Sequence, residues 1–311
     1  MMFIGGGNMS LPDIKVNLFG KTLANPVMGA SGTVGYGIEL SPYVDLNYYG
    51  AIVTKGISAA PRRGNPPPRI IETSAGLLNS IGLENIGARR FIDEIIPRLN
   101  EKKTPIIVNI FGETEDEYVK VAEMLNDVSR VFALELNLSC PNVREGGIAF
   151  GKDPKVAARI VRMVRGATIK PVIVKLTPNV TEITPIACAV AEAGADAVSL
   201  INTLLGMAID VKARRPYFYN IRAGLSGPAI KPIALRMVWE TAKAVTIPVI
   251  GIGGIATASD AIEFIMAGAH AIQVGTAHFK NVTVVKDIVE GMHSFFIENG
   301  IAHIDEIRGI I

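Results

Sequence analysis

Short apolar, β-branched runs recur along the chain at 26–30, 51–55, 105–111, 132–138, 171–176, 195–201, 247–252 and 270–275. Each is continuous rather than alternating, which is the pattern of strands buried on both faces of a parallel sheet. Between them, 113–126, 154–165, 182–193, 231–244 and 259–267 carry apolar residues three and four apart, the spacing of amphipathic helices. Asp153-Pro154 and Thr257 ahead of Ser259 and Asp260 are start signals, and Gly194 and Gly268 stand where a helix end needs positive φ. Eight strand-then-helix units in 311 residues predict an α/β fold, a (β/α)8 TIM barrel, as one domain over 1–311. The rival, a doubly wound sheet, seldom runs to eight such regular units, and no Gly-x-Gly-x-x-Gly follows the first strand.

Two further patterns decorate the barrel. Residues 14–24 alternate and turn like an N-terminal β-hairpin that closes the barrel bottom. Residues 58–82 and 204–228 are too long for bare loops and both follow strands, so they are insertions at the C-terminal mouth, where barrel enzymes keep their sites.

Composition narrows the function classes. With 49% hydrophobic and 19% charged residues the chain is globular, and 31 basic against 29 acidic residues give no electrostatic reason to expect nucleic acid. No uncharged apolar stretch approaches the ~20 residues of a membrane span, so no membrane partner is expected. Met1 to Ser10 has neither the basic nor the apolar region of a signal peptide. Two cysteines, Cys140 and Cys188, make no disulfide framework, which suits a cytoplasmic location. The four histidines lack metal-ligand spacing, and no metal is expected.

The polar residues at the strand ends converge on one mouth: Ser31, Lys55, Asn109, Asn137 with Cys140, Lys175, Asn202 with Thr203, Gly253-Gly254 and Gly275-Thr276. The glycines follow the seventh and eighth strands, whose loops commonly hold a phosphate on backbone N–H groups. Lys55 and Lys175 end apolar strands with no acidic residue at a strand end, and an unpaired buried ammonium is costly unless an anionic ligand offsets it. A salt bridge to Glu135 is the alternative for these lysines, on a strand whose alternation can turn that carboxylate away from the interior; a desolvated lysine also suits Schiff-base chemistry. Asn109, Asn137 and Asn202, with Asn79 from the first insertion, suit the edge of a planar amide or imide ring. Cys140, followed by Pro141, is a candidate proton acceptor, whereas Cys188 lies within an apolar helix and reads as inert.

Asn-Leu-Ser-Cys-Pro-Asn at 137–142, Asn-Ser-Ile-Gly-Leu at 79–83 and Ala-Ser-Gly at 30–32 resemble class 1 dihydroorotate dehydrogenases, over about residues 14–297. Where family members commonly have Met within Asn-x-Met-Gly-Leu, this chain has Ile81. The resemblance implies FMN as cofactor and oxidation of (S)-dihydroorotate to orotate in pyrimidine synthesis. By that resemblance Gly253, Gly254, Gly275 and Thr276 hold the FMN phosphate, and Ser31, Lys55, Gly56, Asn109, Asn137, Lys175, Ile201 and Gly227 meet the rest of the flavin. Lys55, Asn79, Ser80, Ile81, Gly82, Leu83, Asn137, Asn202 and Thr203 surround orotate. Cys140 takes the C5 proton, flavin N5 the C6 hydride, and Lys175 steadies the charge on the reduced flavin; class 2 relatives use serine in place of the cysteine.

The segment at 30–37, Ala-Ser-Gly-Thr-Val-Gly-Tyr-Gly, is similar to the type B catalytic subunit. Type B implies a partner subunit carrying FAD and a 2Fe–2S cluster, in a heterotetramer of two catalytic and two electron-transfer subunits, with NAD as final acceptor. The chain has no cysteine set for a cluster and no dinucleotide fingerprint, so it cannot reach NAD alone. Type A, a homodimer using fumarate, stays open at this point. So do a flavin-dependent tRNA dihydrouridine synthase, a Schiff-base aldolase on Lys175, and a non-catalytic barrel that binds a phosphate ligand.

Overall fold

The computed structural model describes residues 11–139 and 150–311. Eight parallel strands close into a barrel: β1 Val27–Gly29, β2 Ala51–Val53, β3 Ile106–Ile110, β4 Val131–Asn137, β5 Val172–Lys175, β6 Ala197–Leu200, β7 Val249–Ile252 and β8 Ala271–Val274. Their order around the barrel follows the chain, and β8 closes on β1 with Val274 opposite Gly29. Each lies inside one of the apolar runs and is shorter than it by a residue or more at its ends, except that β4 begins one residue earlier. The barrel strands are buried on both faces because helices cover the outside while side chains fill the inside.

Helices Glu115–Asn126, Pro154–Ala167, Thr184–Glu192, Lys231–Ala244, Ala258–Met266 and Val284–Glu298 follow β3 to β8 in turn. A helical stretch at 88–99 with a π turn at Phe91–Ile95 lies between β2 and β3. The expected helix after β1 is absent. There the chain runs through Gly32, Gly35 and Gly37 at φ 87°, 58° and 94°, a left-handed backbone that a helix cannot continue through, and only a 3-10 turn at Leu46–Tyr48 forms.

Val16–Leu18 pairs antiparallel with Lys21–Leu23 around Phe19-Gly20, both at positive φ, as a two-residue hairpin turn requires. The Phe19 ring meets Phe132, at the N-terminal end of β4, at 5.9 Å, so the hairpin sits at the barrel bottom as its sequence predicts. The two insertions are not separate loops. They pair with each other into one antiparallel sheet, in the order Leu204–Met207, Arg222–Ser226, Gly76–Asn79, Ile70–Thr73. Cys188 lies on its predicted helix but is only half-buried, its thiol 3.6 Å from the Ala244 carbonyl oxygen. Among the described residues no helix is long and apolar enough to cross a membrane.

The helix after β7 shows how local chemistry holds the mouth. Thr257 Oγ1 accepts from the Asp260 N–H, and the Asp260 carboxylate accepts from the N–H groups of Thr257 and Ala256, a reciprocal cap. Lys231 donates to Asp260 at 2.7 Å and to Glu263 at 2.9 Å, tying this helix to the one after β6. Burial works to raise the Asp260 carboxyl, yet the hydrogen bonds from Lys231, Ala256 and Thr257 outweigh it and hold the group below its usual range. A depressed carboxyl stabilises the fold above its unfolded pKa, and that contribution is lost as pH falls through the folded value. Asp260→Ala is expected to cost about 1–2 kcal/mol at neutral pH, read as a lower urea midpoint with unchanged slope, and markedly less in acid.

Candidate functional site

Register decides what the barrel presents to its mouth. Paired residues of neighbouring strands share a face, and residues two apart on one strand share it too. Asn109 is opposite Glu135, Asn137 opposite Lys175, and Lys175 opposite Ser199. The inward faces of β3 to β6 therefore carry Asn109, Glu135, Asn137, Lys175 and Ser199 together.

Glu135 is completely buried and occupies the middle of this floor. Its Oε1 accepts from Asn109 Nδ2 at 2.7 Å and lies 3.8 Å from Lys175 Nζ. Its Oε2 accepts from Ser199 Oγ at 3.0 Å and from Gln273 Nε2 at 2.7 Å. Gln273 stands on β8, directly across the barrel from β4, so the carboxylate spans the barrel axis. This overturns the expectation of lysines without acidic partners. Lys175 pairs with Glu135, which alternation turns inward alongside Asn137, and Lys55 lies 3.8 Å from Glu84.

Above the floor, Asn202 Nδ2 donates to Asn137 Oδ1 at 3.1 Å, and the same oxygen accepts from the Ser139 N–H at 3.2 Å. Lys55 and Gly56 follow β2 beside β3, where the Ile57 N–H donates to the Asn109 carbonyl oxygen. A Cβ on Gly56 would come within 2.9 Å of Asn109 Oδ1, so glycine keeps that side of the asparagine open.

The insertion sheet forms one wall. Asn79 pairs in register with Gly224 and donates from Nδ2 to its carbonyl oxygen at 3.2 Å. A Cβ on Gly224 would strike Thr203 Oγ1, so Thr203 packs directly under this sheet. Asn65 braces the following segment: Nδ2 donates to the Ser80 carbonyl oxygen and hydroxyl, and its N–H donates to the Ile81 carbonyl oxygen. Gly82 and Leu83 turn at φ 75° and 58°, and Asn85 Nδ2 donates to the Leu83 carbonyl oxygen. Arg69 bridges Glu84 and the Asn65 carbonyl oxygen, which positions the carboxylate beside Lys55. Asn65, Arg69 and Glu84 were not singled out from the sequence, because their roles need partners that the fold alone brings together.

The glycines of β7 and β8 gather with Gly227. Gly254 faces the Gly227 carbonyl oxygen, a Cβ on Gly227 would meet Thr276 Cγ2 at 3.3 Å, and Thr276 Oγ1 donates to Ser226 Oγ at 2.8 Å. Ile201 packs under Gly253. Ser31 follows β1 next to this cluster, since the Ala30 N–H donates to the Val274 carbonyl oxygen. His278 Nδ1 donates to the Gly275 carbonyl oxygen at 3.0 Å while its Nε2 accepts from Tyr49 OH at 3.0 Å. Burial pushes the His278 imidazole below its usual pKa and the Tyr49 phenol well above its own, so this brace under the glycine turn carries no charge.

Two observations test whether these residues fit a flavin mononucleotide. Asn109 is 1% exposed and its Oδ1 has no hydrogen-bond partner among the described residues, so a buried acceptor awaits a donor such as a ring N–H. The glycines differ in why they are glycine. Gly253 and Gly254 have φ 133° and 74°, and a Cβ would come within 2.6 Å of Ala234 and 2.7 Å of Lys231, so packing already demands them. A Cβ on Gly275 would meet nothing among the described residues closer than 3.6 Å, which leaves room for an anion at that turn. Gly253→Ala is accordingly expected to cost about 2–3 kcal/mol of stability. Gly275→Ala is expected to cost the fold no more than about 1 kcal/mol, read as a small shift of the denaturation midpoint.

The model of the family described as dihydroorotate dehydrogenase matches residues 13–296. The chain belongs to the dihydroorotate dehydrogenase family. Several similar relatives carry the description "Dihydroorotate dehydrogenase B (NAD(+)), catalytic subunit". One from Geotalea uraniireducens is 56% identical over 303 residues, covering 97% of this chain and 99% of its own. Another from Geobacter sulfurreducens is 56% identical over the same shares, and one from Desulforamulus reducens is 55% identical over 92% of this chain and 94% of its own. As a member of the dihydroorotate dehydrogenase family the chain is an oxidoreductase, and the resemblance read from its motifs holds over nearly its full length. The expected base, Cys140, lies outside the described residues, as do Pro141 and Asn142.

Proposed function

We propose that this chain oxidises (S)-dihydroorotate to orotate in pyrimidine synthesis, as the FMN-containing catalytic subunit of a type B enzyme in the cytoplasm. The observation that carries the reading is the buried pairing of Lys175 with Glu135 beside an Asn109 Oδ1 that has no partner among the described residues, a floor charged and polar in the manner a flavin ring needs. Gly253, Gly254, Gly275 and Thr276 hold the phosphate; Ser31, Lys55, Gly56, Asn109, Asn137, Lys175, Ile201 and Gly227 meet the rest of the cofactor. FMN, when bound there, supplies the acceptor for the hydride that leaves C6 of dihydroorotate.

The chain's own residues do the rest. Lys55, with Asn79, Ser80, Ile81, Gly82, Leu83, Asn137, Asn202 and Thr203, orients the ring and its carboxylate. Cys140, as thiolate, removes the C5 proton as the C5–C6 double bond forms. The Lys175 ammonium offsets the negative charge that accumulates at the floor, where burial strengthens its field. Electrons leave through a partner subunit that carries FAD and a 2Fe–2S cluster, two copies of each subunit forming the complex, with NAD as acceptor. The description carried by the similar relatives named above, with NAD and a catalytic subunit in its wording, favours this over the fumarate-linked type A form.

The purified chain is expected to form orotate with dihydroorotate and an artificial acceptor, but not with NAD or fumarate. Adding the electron-transfer subunit is expected to confer NAD reduction. Rapid turnover with fumarate alone would instead establish type A.

A further inference from the structure

Glu135 is the one completely buried carboxylate among the described residues, and no step of the reaction uses it. Such a group is costly to bury unless its lone pairs are filled, and here four donors surround it. A carboxylate only accepts hydrogen bonds, so both amides that touch it must turn their NH2 groups inward. Asn109 does so at 2.7 Å and Gln273 at 2.7 Å, and in each the carbonyl oxygen is left buried without a partner among the described residues. The carboxylate thereby decides which end of Asn109 faces Gly56 and the mouth. It also anchors Lys175: Nζ lies 3.8 Å from Oε1, close enough for attraction and loose enough to leave ammonium protons for a ligand.

We propose that Glu135 is a positioning residue of the flavin site, which fixes the Lys175 ammonium and presents Asn109 Oδ1, rather than its NH2 group, to the cofactor. The proposal rests on the reading of the site as one for FMN. A neutral amide in place of the carboxylate can donate as well as accept, so it frees Asn109 to turn over and removes the charge that holds Lys175. An N–H of the ligand would then face a donor instead of an acceptor.

The test combines Glu135→Gln, Lys175→Met and the double variant. Glu135→Gln is expected to slow flavin reduction by dihydroorotate about 10- to 100-fold with little change in KM, since a displaced charge costs rate more than ground-state binding. It is also expected to raise the FMN dissociation constant of the apoprotein about tenfold, a readout that needs no substrate. If Glu135 sets the rate through Lys175 and FMN affinity through Asn109, the same substitution in the Lys175→Met background leaves the reduction rate of FMN-saturated protein unchanged while still weakening FMN binding. Rate losses that multiply in the double variant, or wild-type rate and FMN affinity in Glu135→Gln, would overturn the proposal. Should Glu135→Gln fail to fold, Glu135→Asp keeps the charge and shortens its reach; it is expected to slow reduction in the wild-type background and not in Lys175→Met, with the opposite result overturning it. Wild-type flavin that dihydroorotate cannot reduce would instead reject the assigned reaction, while the FMN titration still decides the role of Glu135.

Discussion

Cys140→Ala is expected to yield a protein that binds FMN as the wild type does and whose flavin dihydroorotate no longer reduces at a useful rate. A positioned general base contributes about 10²- to 10⁴-fold, and alanine has no group to take the C5 proton. Cys140→Ser should fall nearly as far, because a hydroxyl needs a stronger neighbouring base than a thiol does to give up its own proton first. FMN titration separates this from misfolding, since a folded Cys140→Ala chain is expected to bind FMN as tightly as the wild type. Rapid flavin reduction in Cys140→Ala, measured by anaerobic stopped flow, would remove the cysteine from the base role.

Lys175→Met is expected to cost about 10²- to 10³-fold in flavin reduction, the usual effect of deleting a donor aimed at developing charge. Its second effect is on stability. Removing one partner of a buried ion pair typically costs about 3–5 kcal/mol. Here Asn109, Ser199 and Gln273 still hold the Glu135 carboxylate, so a loss of about 1–3 kcal/mol is expected. Denaturant unfolding of the apoprotein checks the stability, and single-turnover reduction checks the rate. A Lys175→Met variant as fast as wild type would mean that the ammonium only balances Glu135.

The barrel was legible because its signal is repetitive. Eight continuous apolar runs are buried on both faces, and that pattern needs no knowledge of distant partners. The hairpin was legible from Phe19-Gly20 and the alternation on either side. The missing helix after β1 was not, since Gly32, Gly35 and Gly37 read as loop residues only once their positive φ is known. Nor was the pairing of the two insertions, which lie more than a hundred residues apart and meet through Asn79 and Gly224.

The site divides in the same way. Strand-end residues such as Asn109, Asn137 and Lys175 could be found by position alone, because parallel strands aim their C-terminal ends at one mouth. Glu135 was visible only as a rival partner for lysine. The parity it shares with Asn137 was the available signal for its inward direction, and its bond to Gln273 across the barrel had none. Glu84 behind Lys55 was hidden for a related reason, since Arg69 and the turn at Gly82-Leu83 bring it there.

The measurement that tests the central claim most directly is an anaerobic visible spectrum of the FMN-loaded chain before and after one equivalent of (S)-dihydroorotate. The account predicts a yellow protein that bleaches within the mixing time or shortly after, releases orotate, and stays bleached when NAD is added without a partner subunit. A flavin that remains oxidised with excess dihydroorotate, in a chain that has bound FMN at full occupancy, would contradict it.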